Sequence, residues 1–207
     1  MSPEEPDPRS FFLQKVPQDW NRSLLGQERA AAEAARVLDG MRAVDATIRV
    51  EIRGEGGGTF FLNIVAGRME AGDAPSHPPF MTVVQDRASF ERLAAEAGDS
   101  AMAMLGGISG LAGGMKLTRG RLDNLGGVKG CLLFEVTGPQ GFRVLTHFGP
   151  AAPPERPDAT LSVDPEAYRD LRSGLVDPQT AFMSGKIKVA GNMQLAMQLA
   201  LAALSPD

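Results

Sequence analysis

The side chains best able to do chemistry in this sequence are two histidines, His77 and His147, and one cysteine, Cys131. Hydrolysis by a nucleophile, histidine and carboxylate needs all three on one site, and commonly a Gly-x-Ser-x-Gly turn to expose the nucleophile. No such turn occurs, and the two histidines lie in different halves of the chain, one in a proline-rich link and one in an apolar run. Carboxylates are scattered, and no helical stretch pairs one with a histidine at the i, i+3 or i, i+4 spacing of a metal site. One cysteine allows no intrachain disulfide, and its apolar neighbours suggest a buried thiol. Gly54 to Gly58 has the composition of a phosphate loop but leads into an alternating, strand-like run and lacks the lysine in register. The formal net charge of −4, with no long Lys/Arg run, excludes an electrostatic nucleic-acid footprint. The expectation is a protein without a catalytic constellation, metal or cofactor.

With little chemistry to position, the elements themselves carry the information, above all Asp177 to Leu204. Asp177-Pro178 is an N-cap followed by proline at the first helical position. Gly185 ends that short helix, and Lys186-Ile187-Lys188-Val189 alternates as a strand with one wet face. The lysines suit either a solvated edge strand or contact with anionic headgroups. Gly191 ends the strand and Asn192 caps a helix, Met193 to Leu204, that is apolar nearly all round. At about 1.5 Å per residue it is roughly 20 Å long, too short to cross a bilayer. It is therefore a helix buried on several sides, or one that faces something apolar that is not protein. Met183, Met193 and Met197 lie close together, and methionine suits surfaces that adapt to ligands of variable shape.

The ordered run Asp177-Pro178, Ala181-Phe182, Gly185-Lys186-Ile187-Lys188-Val189, Gly191-Asn192-Met193, Leu195-Ala196-Met197 resembles the C-terminal signature of the sterol carrier protein-2 domain, the non-specific lipid-transfer module. The resemblance implies an α+β fold in which a mixed, mainly antiparallel five-stranded sheet is covered by helices around a hydrophobic tunnel. That tunnel would take acyl chains, acyl-CoA, phospholipid or sterol. Ser184 stands where members of the family often carry glutamine next to the ligand.

Earlier in the chain, residues 1–22 hold prolines, charges and interleaved aromatics and read as an arm; Gly26 to Met41 reads as a surface helix with Val37, Leu38 and Met41 inward. Ala46, Ile48, Val50 and Ile52 alternate with polar residues, GEGGG turns the chain, and Phe60, Leu62 and Ile64 continue on a second strand. Phe80 to Val84 reads as a strand and Ala88 to Gly98 as a helix. AMAMLGGISGLAGGM, residues 101–115, reads as a buried helix or helix-turn that could border a cavity. Lys116 to Leu122 reads as a strand, followed by strands Val128 to Val136 and Phe142 to Phe148.

Laid together, the two halves repeat. Thr82-Val83, Asp86, Phe90 and Leu93 recur as Thr160-Leu161, Asp164, Tyr168 and Leu171; Asp99, Ala103 and Gly107 meet Asp177, Ala181 and Gly185; and Gly114-MKLTR-Gly120 meets Gly185-KIKVA-Gly191. This suggests two tandem copies of one module, a degenerate one at 23–122 and a lipid-binding one at 123–207; the competing account is a single such domain with an N-terminal elaboration. In the first, the last helix is reduced to Arg121 to Leu125.

On this reading the residues expected to point inward and meet the ligand are Phe134, Val136, Leu161, Val163, Leu171, Leu175, Phe182, Met183, Ile187, Val189, Met193, Met197 and Leu201. The expected partner is a hydrophobic small molecule, with transient membrane-surface contact and no nucleic acid. The acidic, proline-rich start and the Ser205-Pro206-Asp207 end suggest neither a signal peptide nor a peroxisomal address, so a cytoplasmic location is expected. The alternative is an accessory module with a closed tunnel that supports a lipid-modifying enzyme.

Overall fold

The computed structural model describes residues 7–97 and 116–204. The glycine-rich stretch 101–115 lies outside the described residues. Two compact units result, residues 1–39 and 40–207.

In the first unit the Asp7 carboxylate accepts from the Arg9 and Ser10 N–H groups. These bonds open a helical segment made of Pro8–Ser10, a π-helical stretch Phe11–Lys15, and helix α1, Val16–Arg42, which continues past the end of the unit. The widened stretch falls just ahead of Pro17, which has no N–H to donate and whose ring crowds the preceding turn. Residues 8–22, expected as an arm, are thus helical. Ion pairs Lys15–Asp19 at 3.6 Å, Asp19–Arg22 at 3.1 Å and Glu33–Arg36 at 2.7 Å line the polar side. Leu38, expected inward, is 46% exposed.

The second unit is built on a mixed sheet of eight strands, where the resemblance implies five. The strands are β1 (Ala46–Arg53), β2 (Gly58–Val65), β3 (Arg68–Gly72), β4 (Pro79–Asp86), β5 (Gly130–Val136), β6 (Phe142–Phe148), β7 (Ala159–Val163) and β8 (Ile187–Gly191). Their order across the sheet is β3-β2-β1-β4-β6-β5-β7-β8. The hairpin read from the alternation of residues 46–64 is present, with Val50 opposite Phe60. Pairing continues beyond one hairpin because β4 lies parallel to β1 on one side and antiparallel to β6 on the other, with Thr82 opposite His147.

Helices α2 (Arg87–Ala97), α3 (Arg119–Gly126), α4 (Pro165–Arg172), α5 (Pro178–Met183) and α6 (Met193–Leu204) complete the unit. Residues 119–122, expected in a strand, are helical. The Thr118 hydroxyl oxygen accepts the Arg121 N–H and Arg119 pairs with Asp123 one turn on, so local capping overrides the short polar–apolar alternation. The proposed match of residues 114–120 to 185–191 therefore sets residues that open a helix against strand β8. Each of the five helices sends a side chain to one apolar cluster on the sheet: Leu93, Leu125, Leu171, Ala181 and Leu195 meet Ile48, Val83, Leu132, Phe134 and Leu161. The Phe142 ring stands edge-on to Tyr168 at 5.2 Å and 6.1 Å from Phe134.

One arrangement occurs twice in this unit. An antiparallel hairpin is followed by a strand parallel to its first member, and then by a helix with an aspartate at its start. In β1-β2-β4-α2 the parallel pair includes Val50 beside Val83, and Asp86 Oδ1 accepts the Ser89 N–H at 2.7 Å. In β5-β6-β7-α4 it includes Phe134 beside Leu161, and Asp164 Oδ1 accepts the Ala167 N–H at 2.8 Å.

Candidate functional site

The C-terminal elements follow their punctuation closely. Asp177 Oδ1 accepts the Thr180 N–H at 2.9 Å and Oδ2 the Thr180 hydroxyl at 2.6 Å. Those bonds, the hydroxyl's first, hold the Asp177 carboxyl below the usual carboxylate range. At the other end of α5 the Ser184 hydroxyl donates to the Thr180 carbonyl at 2.8 Å, and Gly185 turns the chain at φ +74°. Ser184 is thereby engaged with its own helix. β8 then runs along the sheet edge with Ile187 beside Val163 and Val189 beside Leu161.

Gly191 closes the strand at φ +82°, where a Cβ would run into the Asp158 carbonyl oxygen. That carbonyl accepts the Asn192 N–H at 2.8 Å, and Asn192 Oδ1 in turn accepts the Leu195 N–H at 3.1 Å, capping α6. Gly130 works from the opposite side: at φ +133° its missing Cβ would sit 2.9 Å from Leu195 Cδ2. Two glycines thus seat α6 against β5 and β7. The helix buries Leu195, Ala196 and Leu199 and leaves Met193 45% and Met197 58% exposed.

The thirteen residues read as inward-facing divide into two sets. Phe134, Val136, Leu161, Val163 and Leu171 are buried in the core, and Ile187 and Val189 are partly buried against it. Leu175 and Met183, each 78% exposed, and Phe182, Met193 and Met197 are instead on the surface. For α6 the reason is that its core-facing stripe is filled by Leu195 and Leu199, so methionines on the other side of this nearly all-apolar helix face outward. Leu201 belongs to α6, but its side chain lies outside the described residues. The C-terminal elements therefore leave large apolar side chains in solvent, Phe182 and Met183 on α5 and Met193 and Met197 on α6, with β8 in sequence between the two helices. Such surfaces, when clustered, mark sites for another apolar body.

Polar groups stand among these elements. Lys186, at the α5–β8 turn, holds Asp170 of α4 at 2.9 Å. That hydrogen bond, then the Asp170 charge, pushes the Lys186 amine above its ordinary value. Of the two lysines expected on a solvated strand, Lys188 is exposed and Lys186 is ion-paired just ahead of the strand.

Cys131 is fully buried in β5, and burial, then the Asp158 charge, pushes its thiol up to about 11. The native protein is expected to leave a thiol-reactive disulfide reagent unconsumed at pH 8 until denaturant is added; prompt stoichiometric reaction in buffer would contradict this placement. His147 lies across the ladder from both Cys131 and Thr82, and no described group hydrogen-bonds its Nδ1. Among the described residues no helix is long and apolar enough to cross a membrane.

Residues 115–203, which hold α3 to α6 and β5 to β8, match the family model described as the SCP-2 sterol transfer family. Over these residues the chain is similar to that family. A rat protein, sterol carrier protein 2, is 42% identical over 53 residues, 26% of this chain and 10% of that protein. The human hydroxysteroid dehydrogenase-like protein 2 is 36% identical over 74 residues, 32% of this chain and 18% of that protein. The chain thus spans less than a fifth of the length of these two relatives. Among solved structures, the sterol carrier protein domain 2 of Helicoverpa armigera is 27% identical, with 58% of this chain and 94% of that one covered and a TM-score of 0.34. Sterol carrier protein 2 from Yarrowia lipolytica, in its apo form, is 19% identical, covering 48% of this chain and 91% of that one, with a TM-score of 0.33. The SCP-2 segment stops short of β1 to β4, which extend its sheet through the β4·β6 pairing.

Proposed function

We propose that this chain binds and transfers lipid without chemical conversion, in a hydrophobic tunnel whose open side is the face formed by α5, β8 and α6. The observation that carries the reading is the exposure of Phe182, Met183, Met193 and Met197 within the SCP-2 segment. Four large apolar side chains left in water are unfavourable, and an acyl or isoprenoid chain laid over them recovers about 0.8 kcal/mol per buried methylene. Because contact of this kind is nondirectional, selectivity by chain length should be shallow, and occupancy should raise stability. The proposal includes a cytoplasmic location, transient contact with membrane surfaces to load and unload, and two tandem copies, the degenerate one at 23–122 and the ligand-binding one at 123–207. The twofold occurrence of hairpin, parallel strand and Asp-capped helix supports the duplication.

One observation favours a second reading, an accessory module with a closed tunnel that supports a lipid-modifying enzyme. Phe134, Val136, Leu161, Val163 and Leu171 are packed among themselves and their neighbours in a filled core. Organic extraction and lipid mass spectrometry of the purified protein, with melting recorded before and after delipidation, separates the two. A carrier should release about one equivalent of lipid and melt at lower temperature when stripped. An empty protein indifferent to added acyl-CoA, fatty acid and sterol would refute the carrier reading and leave the accessory module.

A further inference from the structure

We propose that the lipid taken by this face has a neutral or zwitterionic polar end, in preference to a free anion. The inference rests on the lipid-binding reading above and specifies its ligand class. An open cleft of about 600 Å³ is lined by Glu166, Arg169, Asp170, Arg172, Ser173 and Leu175 on and after α4. Asp170 joins it to the apolar face, because its carboxylate holds Lys186 at the α5–β8 turn. Leu175, 78% exposed, is the apolar member of the cleft's lining. A polar ligand end therefore has a wet, charged cleft beside a greasy surface.

The cations in and beside that cleft already have carboxylates near them. Lys186 Nζ lies 2.9 Å from Asp170 Oδ2, and Arg172 donates to Glu96 through Nη1 at 3.1 Å to the carboxylate and Nη2 at 2.7 Å to the carbonyl. Arg169 follows Glu166 by one helical turn and donates its Nε–H to the Pro165 carbonyl at 3.3 Å. Three cations, Arg169, Arg172 and Lys186, thus stand among four carboxylates, Glu96, Asp164, Glu166 and Asp170. An entering carboxylate or phosphate meets no net positive potential, and to reach Lys186 it must displace Asp170, which then repels it. A hydroxyl or ester displaces nothing, and a zwitterion can align with the existing pairs.

The test is competition of three ligands sharing one sixteen-carbon chain, palmitate, monopalmitoylglycerol and lysophosphatidylcholine, against a neutral fluorescent acyl probe on the full chain. Wild type should hold the neutral and zwitterionic ligands at least about fivefold more tightly than palmitate, the size of one partly screened charge interaction. Asp170→Asn frees Lys186 and should tighten palmitate about fivefold while leaving monopalmitoylglycerol unchanged, a gain that salt removes and that adding Lys186→Met cancels. Palmitate binding to wild type as tightly as the neutral ligand, or an unaltered palmitate affinity in Asp170→Asn, overturns the proposal. Failure of all three to bind overturns the lipid-binding reading together with it.

Discussion

Gly191→Ala should destabilise the unit of residues 40–207 by about 2–4 kcal/mol, the range in which a strained backbone and a steric clash combine. The residue holds φ +82°, and an added methyl group would meet the Asp158 carbonyl oxygen. The same carbonyl accepts the Asn192 N–H, so relieving the clash breaks the pairing of Ala159 with Gly191 and disturbs the cap of α6 together. Gly185→Ala is the control. It has a similar φ, +74°, with nothing within 4 Å of its added carbon, and should cost only about 1 kcal/mol. Urea unfolding followed by circular dichroism measures both. Equal losses would show that backbone conformation alone, and not the approach of β7, makes glycine necessary at position 191.

The double substitution Met193→Glu with Met197→Glu should weaken binding of any single-chain lipid at least tenfold and leave the melting temperature of the unliganded protein within a few degrees. Both side chains are largely solvated, so the fold loses little when they change. A bound chain loses two apolar contacts and meets two carboxylates; about 1.4 kcal/mol suffices for each factor of ten. Titration with a fluorescent fatty alcohol reads the affinity. Wild-type affinity in this variant would move the ligand away from α6. If the protein instead unfolds, the methionines belong to the core, against the exposure described.

How much of this was legible beforehand depended on the kind of signal. Alternation over Ala46 to Ile52 and a glycine-rich turn specified β1 and β2, because a half-buried hairpin imposes a period of two. Asp177-Pro178, Gly185, Gly191 and Asn192 gave α5, β8 and α6 their boundaries, because caps and left-handed turns demand particular residues. Where the pattern was short or symmetric it misled. Residues 116–122 alternate briefly, and only the Thr118 cap and the Arg119–Asp123 pair reveal a helix. β3, Arg68–Gly72, is exposed along its length, and Met69 and Ala71 alternate with polar residues over too few positions to mark a strand. A nearly all-apolar α6 identifies a helix without saying which side is buried, so the pattern puts Met193 and Met197 inward, whereas Leu195 and Leu199 occupy that side. Proline density in residues 1–22 suggested an irregular arm, yet Pro8 begins the helical segment and Pro17 lies one residue into α1.

The β4·β6 junction also bears on how the sheet's edges are exposed to pairing. Hydrogen bonding between the outer strand of one hairpin set and the hairpin edge of the next is a head-to-tail contact, the kind that extends without limit when both ends stay available. Here the two remaining ends are occupied by strands of the same chain: β3 lies on β2, and β8 lies on β7. Each terminator is only five residues long and carries charge, Arg68 and Glu70 on one and Lys188 on the other. Short, charged strands thus stand at both edges of the sheet, where they disfavour pairing with a further strand.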